Sequence, residues 1–190
     1  MRFIGFYDYT VVLTYMSLFF AVVGMTRALQ GDFKLAVLCL FLCGFCDAFD
    51  GTVARTKKDR TVDGKNFGIQ LDSLCDVICF GFYPAFLCYL MGVDGILGII
   101  LVFGYTLCAL IRLAFFNMLE GKREGEGVAK YYRGLPVTMI AGIFPLVYVT
   151  CRGLTSFVMI LHVILGIVAF LFILDFPVPK IDFGKYLHVK

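Results

Sequence analysis

Charge is scarce in this chain, and the scarcity excludes a soluble domain of this size. Only 16% of the 190 residues are charged, whereas 61% are apolar, a balance that belongs to the membrane class. No internal repeat, low-complexity tract or separating linker interrupts the sequence, so a repeat array and a multidomain layout are both excluded. A cleavable leader is also missing from the pattern. No basic run precedes the first apolar segment and no small-x-small site follows it, so that segment is expected to remain as a helix. The net charge of +3 is small, and topology and anionic lipid explain its basic residues without any nucleic-acid partner.

What the chain does have is six long apolar stretches. They run from Tyr9 to Thr26, from Leu35 past Asp47 toward Ala54, from Gly68 to Val93, from Gly95 to Leu119, from Gly134 to Cys151 and from Gly153 to Leu174. In hydrocarbon a backbone must satisfy its own polar groups, so each stretch is expected to be a helix, and about 20 residues suffice to cross. The expected fold is therefore all-α: a polytopic membrane protein with six transmembrane helices, one membrane domain over residues 1–176 and a short cytoplasmic tail over 177–190.

The basic residues orient it. With the N-terminus inside, thirteen Lys and Arg fall on cytoplasmic segments and three, Arg27, Lys34 and Arg152, on the other side, with Arg112 set aside inside a span. Short basic loops stay in the cytoplasm, so both termini are expected there. The eight cysteines all lie in or beside predicted spans, where Cys packs as a small apolar residue. Cys43 and Cys46 form a C-x-x-C with no second ligand pair, and no chemistry is assigned to it.

The informative segment is Cys46 to Phe82, which places four aspartates on or beside two predicted membrane helices. A charged side chain at mid-bilayer costs about 2.5–3.5 kcal/mol even on lenient scales, so such residues face a polar interior and act there. Asp47 and Asp50 are three apart and Asp72 and Asp76 four apart, so each pair occupies one helical face. The two helices run antiparallel and can bring these faces together near the cytoplasmic surface.

Four carboxylates at close range need protons or cations between them. Neither histidine nor cysteine joins the four aspartates, which argues against zinc and for a hard cation such as Mg²⁺, Mn²⁺ or Ca²⁺. Two such ions about 3.5–4 Å apart clamp phosphoryl oxygens during in-line displacement, so Mg²⁺ or Mn²⁺ and a phosphate substrate are expected. Gly51 and Gly68 permit close approach of a ligand or a neighbouring helix, and the small Ala54 fits the same idea. The bland alternative pairs these aspartates with Arg55, Lys57, Lys58, Arg60 and Lys65 in a solvated loop. It suits Asp59 and Asp63 but not Asp76, which is followed by the apolar run Val77 to Phe80.

The pattern Asp47-x2-Asp50-Gly51-x2-Ala54-Arg55, then Gly68-x3-Asp72-x3-Asp76, resembles the signature of the CDP-alcohol phosphatidyltransferases. The resemblance implies that Asp47, Asp50 and Asp72 ligate two divalent cations, with Asp76 also at the metals and acting as the catalytic base. It implies that Asp50, Gly51, Ala54, Arg55, Gly68 and Asp72 bind a CDP-activated lipid, that CMP is released, and that the protein is a homodimer. One departure is the longer gap between Arg55 and Gly68, which a longer loop is expected to absorb. Within the family, Phe67 to Gly81, Ile111 to Asn117 and Tyr132 to Thr138 resemble the small integral-membrane phosphatidylserine synthases. That implies CDP-diacylglycerol and L-serine as substrates at the inner cell membrane.

A serine acceptor brings a carboxylate that needs a cation. Arg112, the one basic residue deep in a predicted span, is the first candidate, with Asn117 and Arg133 as further acceptor contacts. Alternatively, Arg112 pairs with one of the aspartates. Thr14 and Ser17 are candidate contacts to the nucleotide or to their own backbone, and Pro84 and Pro145 are expected to kink their helices. Two rivals remain: the same chemistry on inositol phosphate, glycerol phosphate or an archaeal ether lipid, and a cation transporter.

Overall fold

The computed structural model describes residues 4–7, 9–57, 61–121 and 131–179. Its framework is helical: α1 (Val12–Leu29), α2 (Phe33–Thr56), α3 (Val62–Asp76), α4 (Tyr83–Leu90), α5 (Gly95–Gly121), α6 (Ile140–Cys151) and α7 (Phe157–Ile173). Among the described residues, four helical stretches are long and apolar enough to cross a membrane, namely Tyr9–Leu29, Phe33–Val53, Val62–Leu90 and Gly95–Leu119, and two shorter apolar helices follow. The chain is a multi-pass membrane protein. Large apolar side chains point outward, as with Ile96, Ile100 and Phe103 on α5 and Met159 and Phe170 on α7, which is the surface a lipid-embedded helix presents.

Among the described residues, one small departure from an all-helical chain occurs. Tyr131–Arg133 (β1) pairs antiparallel with Pro177–Pro179 (β2), and Gly134 N extends the ribbon by donating to Phe176 O at 2.7 Å. Gly134 has φ +75°, and a Cβ there would lie 2.7 Å from Leu174 O, so only glycine turns the chain here. The tail expected from residue 177 thus begins as a paired strand, and residues 180–190 lie outside the described residues.

α1 packs along α2 over most of its length. Small residues permit this: Ala21, Gly24, Ala28 and Ala36 line the contact with Leu40, as expected where helices meet without a hydrophobic drive from water. The Tyr83 ring, fully buried, fills the space beside Gly24 and donates its hydroxyl to Ala36 O at 2.6 Å. A Cβ on Gly24 would collide with that ring and with Cys39. On the other side of α2, Gly44 meets Ala141 of α6 so closely that a second Cβ would not fit.

The third predicted helix differs from expectation at both ends. It begins at Val62 rather than near Gly68, because Thr61 caps it by accepting from Gly64 N at 3.1 Å. Since α2 runs to Thr56, the extra residues between Arg55 and Gly68 lengthen the helices instead of the loop. Downstream, α3 continues through a π-helical segment, Val77–Phe82, into α4. Pro84 has no N–H for the carbonyls four and five residues back, and the wider π turn ends just before it. Neighbouring side chains serve the carbonyls of this turn. Tyr105 Oη donates to Phe80 O at 2.8 Å and Thr106 Oγ1 to Gly81 O at 3.2 Å. The kink expected at Pro84 is thus a π segment braced from α5.

Candidate functional site

A polar column runs between α1, α2 and α3, and one residue sets its register. Ser17 Oγ on α1 donates to Cys43 O of α2 and contacts Cys79 Sγ of the π segment, both at 3.4 Å, while Cys43 Sγ donates to Ser17 O at 3.2 Å. The Cys43 and Cys79 thiols, both in contact with Ser17, lie next to each other. This layer uses Ser17 for packing, not for its own helix, and leaves Cys43 paired with Ser17 and Cys79 across helices. All eight cysteines are free.

α1 runs parallel to α3 and antiparallel to α2, so one helical turn from Ser17 leads to Thr14, Asp47 and Asp76, and a second to Thr10, Asp50 and Asp72. The Tyr9–Val11 turn indeed touches both α2 and α3. The carboxylates come together in the same layers, Asp47 close to Asp76 and Asp50 close to Asp72. One carboxylate oxygen from each of Asp47, Asp50 and Asp72 lies within 4.8 Å of the others. All four aspartates are half-buried. The two pairs that the spacing placed on single faces do meet.

Such a set fits a hard cation. Three carboxylates supply oxygen donors at converging range, and none of the three donors is a thiol or an imidazole. Asp76 lies outside the three-carboxylate group but next to Asp47, one helical turn along α3 from Asp72. A Cβ on Gly51 would meet nothing within 4 Å, so the side of α2 next to Asp50 is open to a ligand. Ala54 and Arg55 continue α2, and their side chains lie outside the described residues. Gly68 sits one turn before Asp72 on α3 and is partly buried.

The residues expected to contact an acceptor separate. Asn117 of α5 reaches the carboxylate helix, accepting from Ser73 Oγ at 2.9 Å beside Asp72. Arg112 bonds elsewhere. It is 6% exposed, donates to Leu135 O and Gly134 O at 3.3 Å each, and has Asp175 as its electrostatic neighbour. It therefore clamps α5 to the turn before α6 and to the segment after α7. Strand β1 ends at Arg133, directly before that turn, and its side chain lies outside the described residues.

Sequence reasoning missed the Ser73–Asn117 bond, the Cys43–Cys79 contact and the π segment. Only the last left a signal, in Pro84 and its two upstream carbonyls.

A multi-pass helical membrane protein with converging carboxylates between its first three helices is the class that fold and site define. The family model for CDP-alcohol phosphatidyltransferase matches residues 9–168, and the chain belongs to that family. Among curated proteins, it is 32% identical over 162 residues to the CDP-diacylglycerol--serine O-phosphatidyltransferase of Saccharomyces cerevisiae, covering 81% of this chain and 57% of that one. It is 35% identical over 124 residues to the archaetidylserine synthase of Methanothermobacter thermautotrophicus, covering 65% and 50%. A CDP-diacylglycerol--serine O-phosphatidyltransferase of Methanocaldococcus jannaschii is 33% identical over 177 residues, covering 92% and 77%. The chain thus spans about half the length of the first two relatives and more of the third.

Proposed function

We propose that the protein transfers a phosphatidyl group from CDP-diacylglycerol to the hydroxyl of L-serine and releases CMP. The observation that carries this reading is the meeting of Asp47, Asp50 and Asp72 beside Asp76 in a chain of this family. The names of its relatives support serine as the acceptor.

In this reading Asp47, Asp50 and Asp72 hold two divalent cations, Mg²⁺ or Mn²⁺, which when bound neutralise the diphosphate and stabilise charge on its oxygens. Gly51, Ala54, Arg55 and Gly68 line the CDP side, with Arg55 offering its planar fork of donors to the diphosphate. Asp76 takes the proton from the serine hydroxyl, a poor acid that needs an adjacent base. The serine oxygen forms a new bond to the lipid-side phosphorus as the bond from that phosphorus to the CMP oxygen breaks, in line and without a covalent enzyme intermediate. Asn117, beside Asp72 through Ser73, and Arg133, on the turn that Arg112 anchors, take the acceptor. Arg112 supplies buried positive charge to that side.

The same reading makes all six apolar helices membrane spans, with both termini and the site on the cytoplasmic face of the inner membrane, and the protein a homodimer. The archaetidylserine synthase among its relatives favours one variant, an ether-lipid donor. CMP release from purified protein tests the whole reading. Release is expected only with CDP-lipid, serine and Mg²⁺ or Mn²⁺ together, and to stop on chelation and return with metal. Equal release with serine omitted or replaced by inositol phosphate would sink the choice of acceptor.

A further inference from the structure

The hydroxyls of α1 that face the column do not share one fate. Ser17 is used up by Cys43 and Cys79. Three helical threonines elsewhere turn back on their own helix: Thr26 Oγ1 donates to Val23 O at 2.7 Å, Thr106 to Val102 O at 2.9 Å and Thr150 to Leu146 O at 2.8 Å. Thr14 does neither. It is 5% exposed, and its hydroxyl has no hydrogen-bond partner among the described residues. A buried hydroxyl without a partner is costly, and folded proteins rarely keep one without a reason. The register set by Ser17 places Thr14 in the layer of Asp47 and Asp76, the inner end of the carboxylate site.

We propose that the Thr14 hydroxyl is the contact α1 makes to the bound ligand, donating to an oxygen held between Asp47 and Asp76. That oxygen belongs either to a phosphoryl group or to a water on the cation. A hydroxyl suits the place because it donates a hydrogen bond without adding charge to a site already set by four aspartates. The inference rests on the proposed use of this site for a metal-bound CDP-lipid.

The test compares Thr14→Val, which keeps the shape and removes the donor, with Thr14→Ser, which keeps the donor. Melting temperature is measured in detergent with no ligand, with Mn²⁺ alone and with Mn²⁺ plus CDP, alongside CMP release. Thr14→Val is expected to melt at or above wild type without ligand, since it removes an unsatisfied group. Its ligand-induced shift should shrink and its CMP release fall about tenfold, the loss of one hydrogen bond to a charged group. Thr14→Ser should retain both. A smaller shift with Mn²⁺ alone assigns the contact to a water on the cation, and a loss confined to the CDP increment assigns it to a phosphoryl oxygen. Thr14→Val with wild-type shifts, or with a melting temperature well below wild type before any ligand is added, overturns the proposal. Wild-type protein that releases no CMP defeats the functional reading itself, whereas active wild type with an unaltered Thr14→Val defeats only the role of Thr14.

Discussion

The interface of α1, α2 and the α3–α4 rod has two halves built on opposite rules. In one half, Ala21, Gly24, Ala28 and Ala36 let backbones approach, and the buried ring of Tyr83 fills what remains. In the other, four half-buried aspartates face one another beside the open flank of Gly51. The closed half holds helices at fixed distances and phase. The open half leaves carboxylates that repel one another until a cation or proton intervenes. Rigidity in the first makes the convergence in the second possible, since an acidic cluster alone would push its helices apart.

Substitutions in the two halves should therefore separate activity from stability. The largest effect is expected from Asp76→Asn, which should lower CMP release by about 10²–10⁴-fold, the range for loss of a general base. Its melting temperature should not fall, because a buried charge is removed. Activity near wild type in that variant would take the base role away from Asp76. Next comes Gly24→Val in the closed half. Its side chain meets the Tyr83 ring and Cys39, and overpacking of this kind costs about 1–3 kcal/mol or more, so folded protein recovered in detergent should drop together with activity.

Tyr105→Phe probes the junction between the halves. It leaves Phe80 O without the hydroxyl that serves it, where Pro84 offers no N–H. A cost of about 1–3 kcal/mol should appear as a lower melting temperature, with a partial loss of CMP release because the π segment follows Asp76 directly. The smallest change is expected for Tyr83→Phe. Its bond goes to Ala36 O near the start of α2, so about 1 kcal/mol and near-normal turnover are expected. A Tyr83→Phe protein that loses turnover while keeping its melting temperature would dissolve the division between a packing half and a reacting half.

Most of the site was legible because membrane burial makes carboxylates conspicuous. The spacings of Asp47 with Asp50 and of Asp72 with Asp76 already placed each pair on a face, and the antiparallel connection allowed them to meet. Arg112 was legible as a buried cation, but not its partners. Whether a buried arginine faces the aspartates or a pair of carbonyls depends on its angle around α5. The nearest carbonyls, Gly134 and Leu135, are over twenty residues away in sequence. Thr14 and Ser17 were indistinguishable as two hydroxyls on one helix. Only their neighbours across the interface separate them: Ser17 bonds to Cys43 and Cys79, whereas Thr14 has no hydrogen-bond partner among the described residues.

By itself the sequence determined that this chain lives in lipid, that its long apolar stretches are helices, and that four aspartates fall on two neighbouring helices where their faces can meet. Those conclusions follow from the cost of exposing backbone and charge to hydrocarbon, which no arrangement of helices can avoid. The tertiary structure alone decided the start of α3, the π segment before Pro84, the carbonyl partners of Arg112 and the contacts of Ser17 with Cys43 and Cys79. Each of these depends on the phase and depth at which one helix meets another, and that is set by side chains distant along the chain.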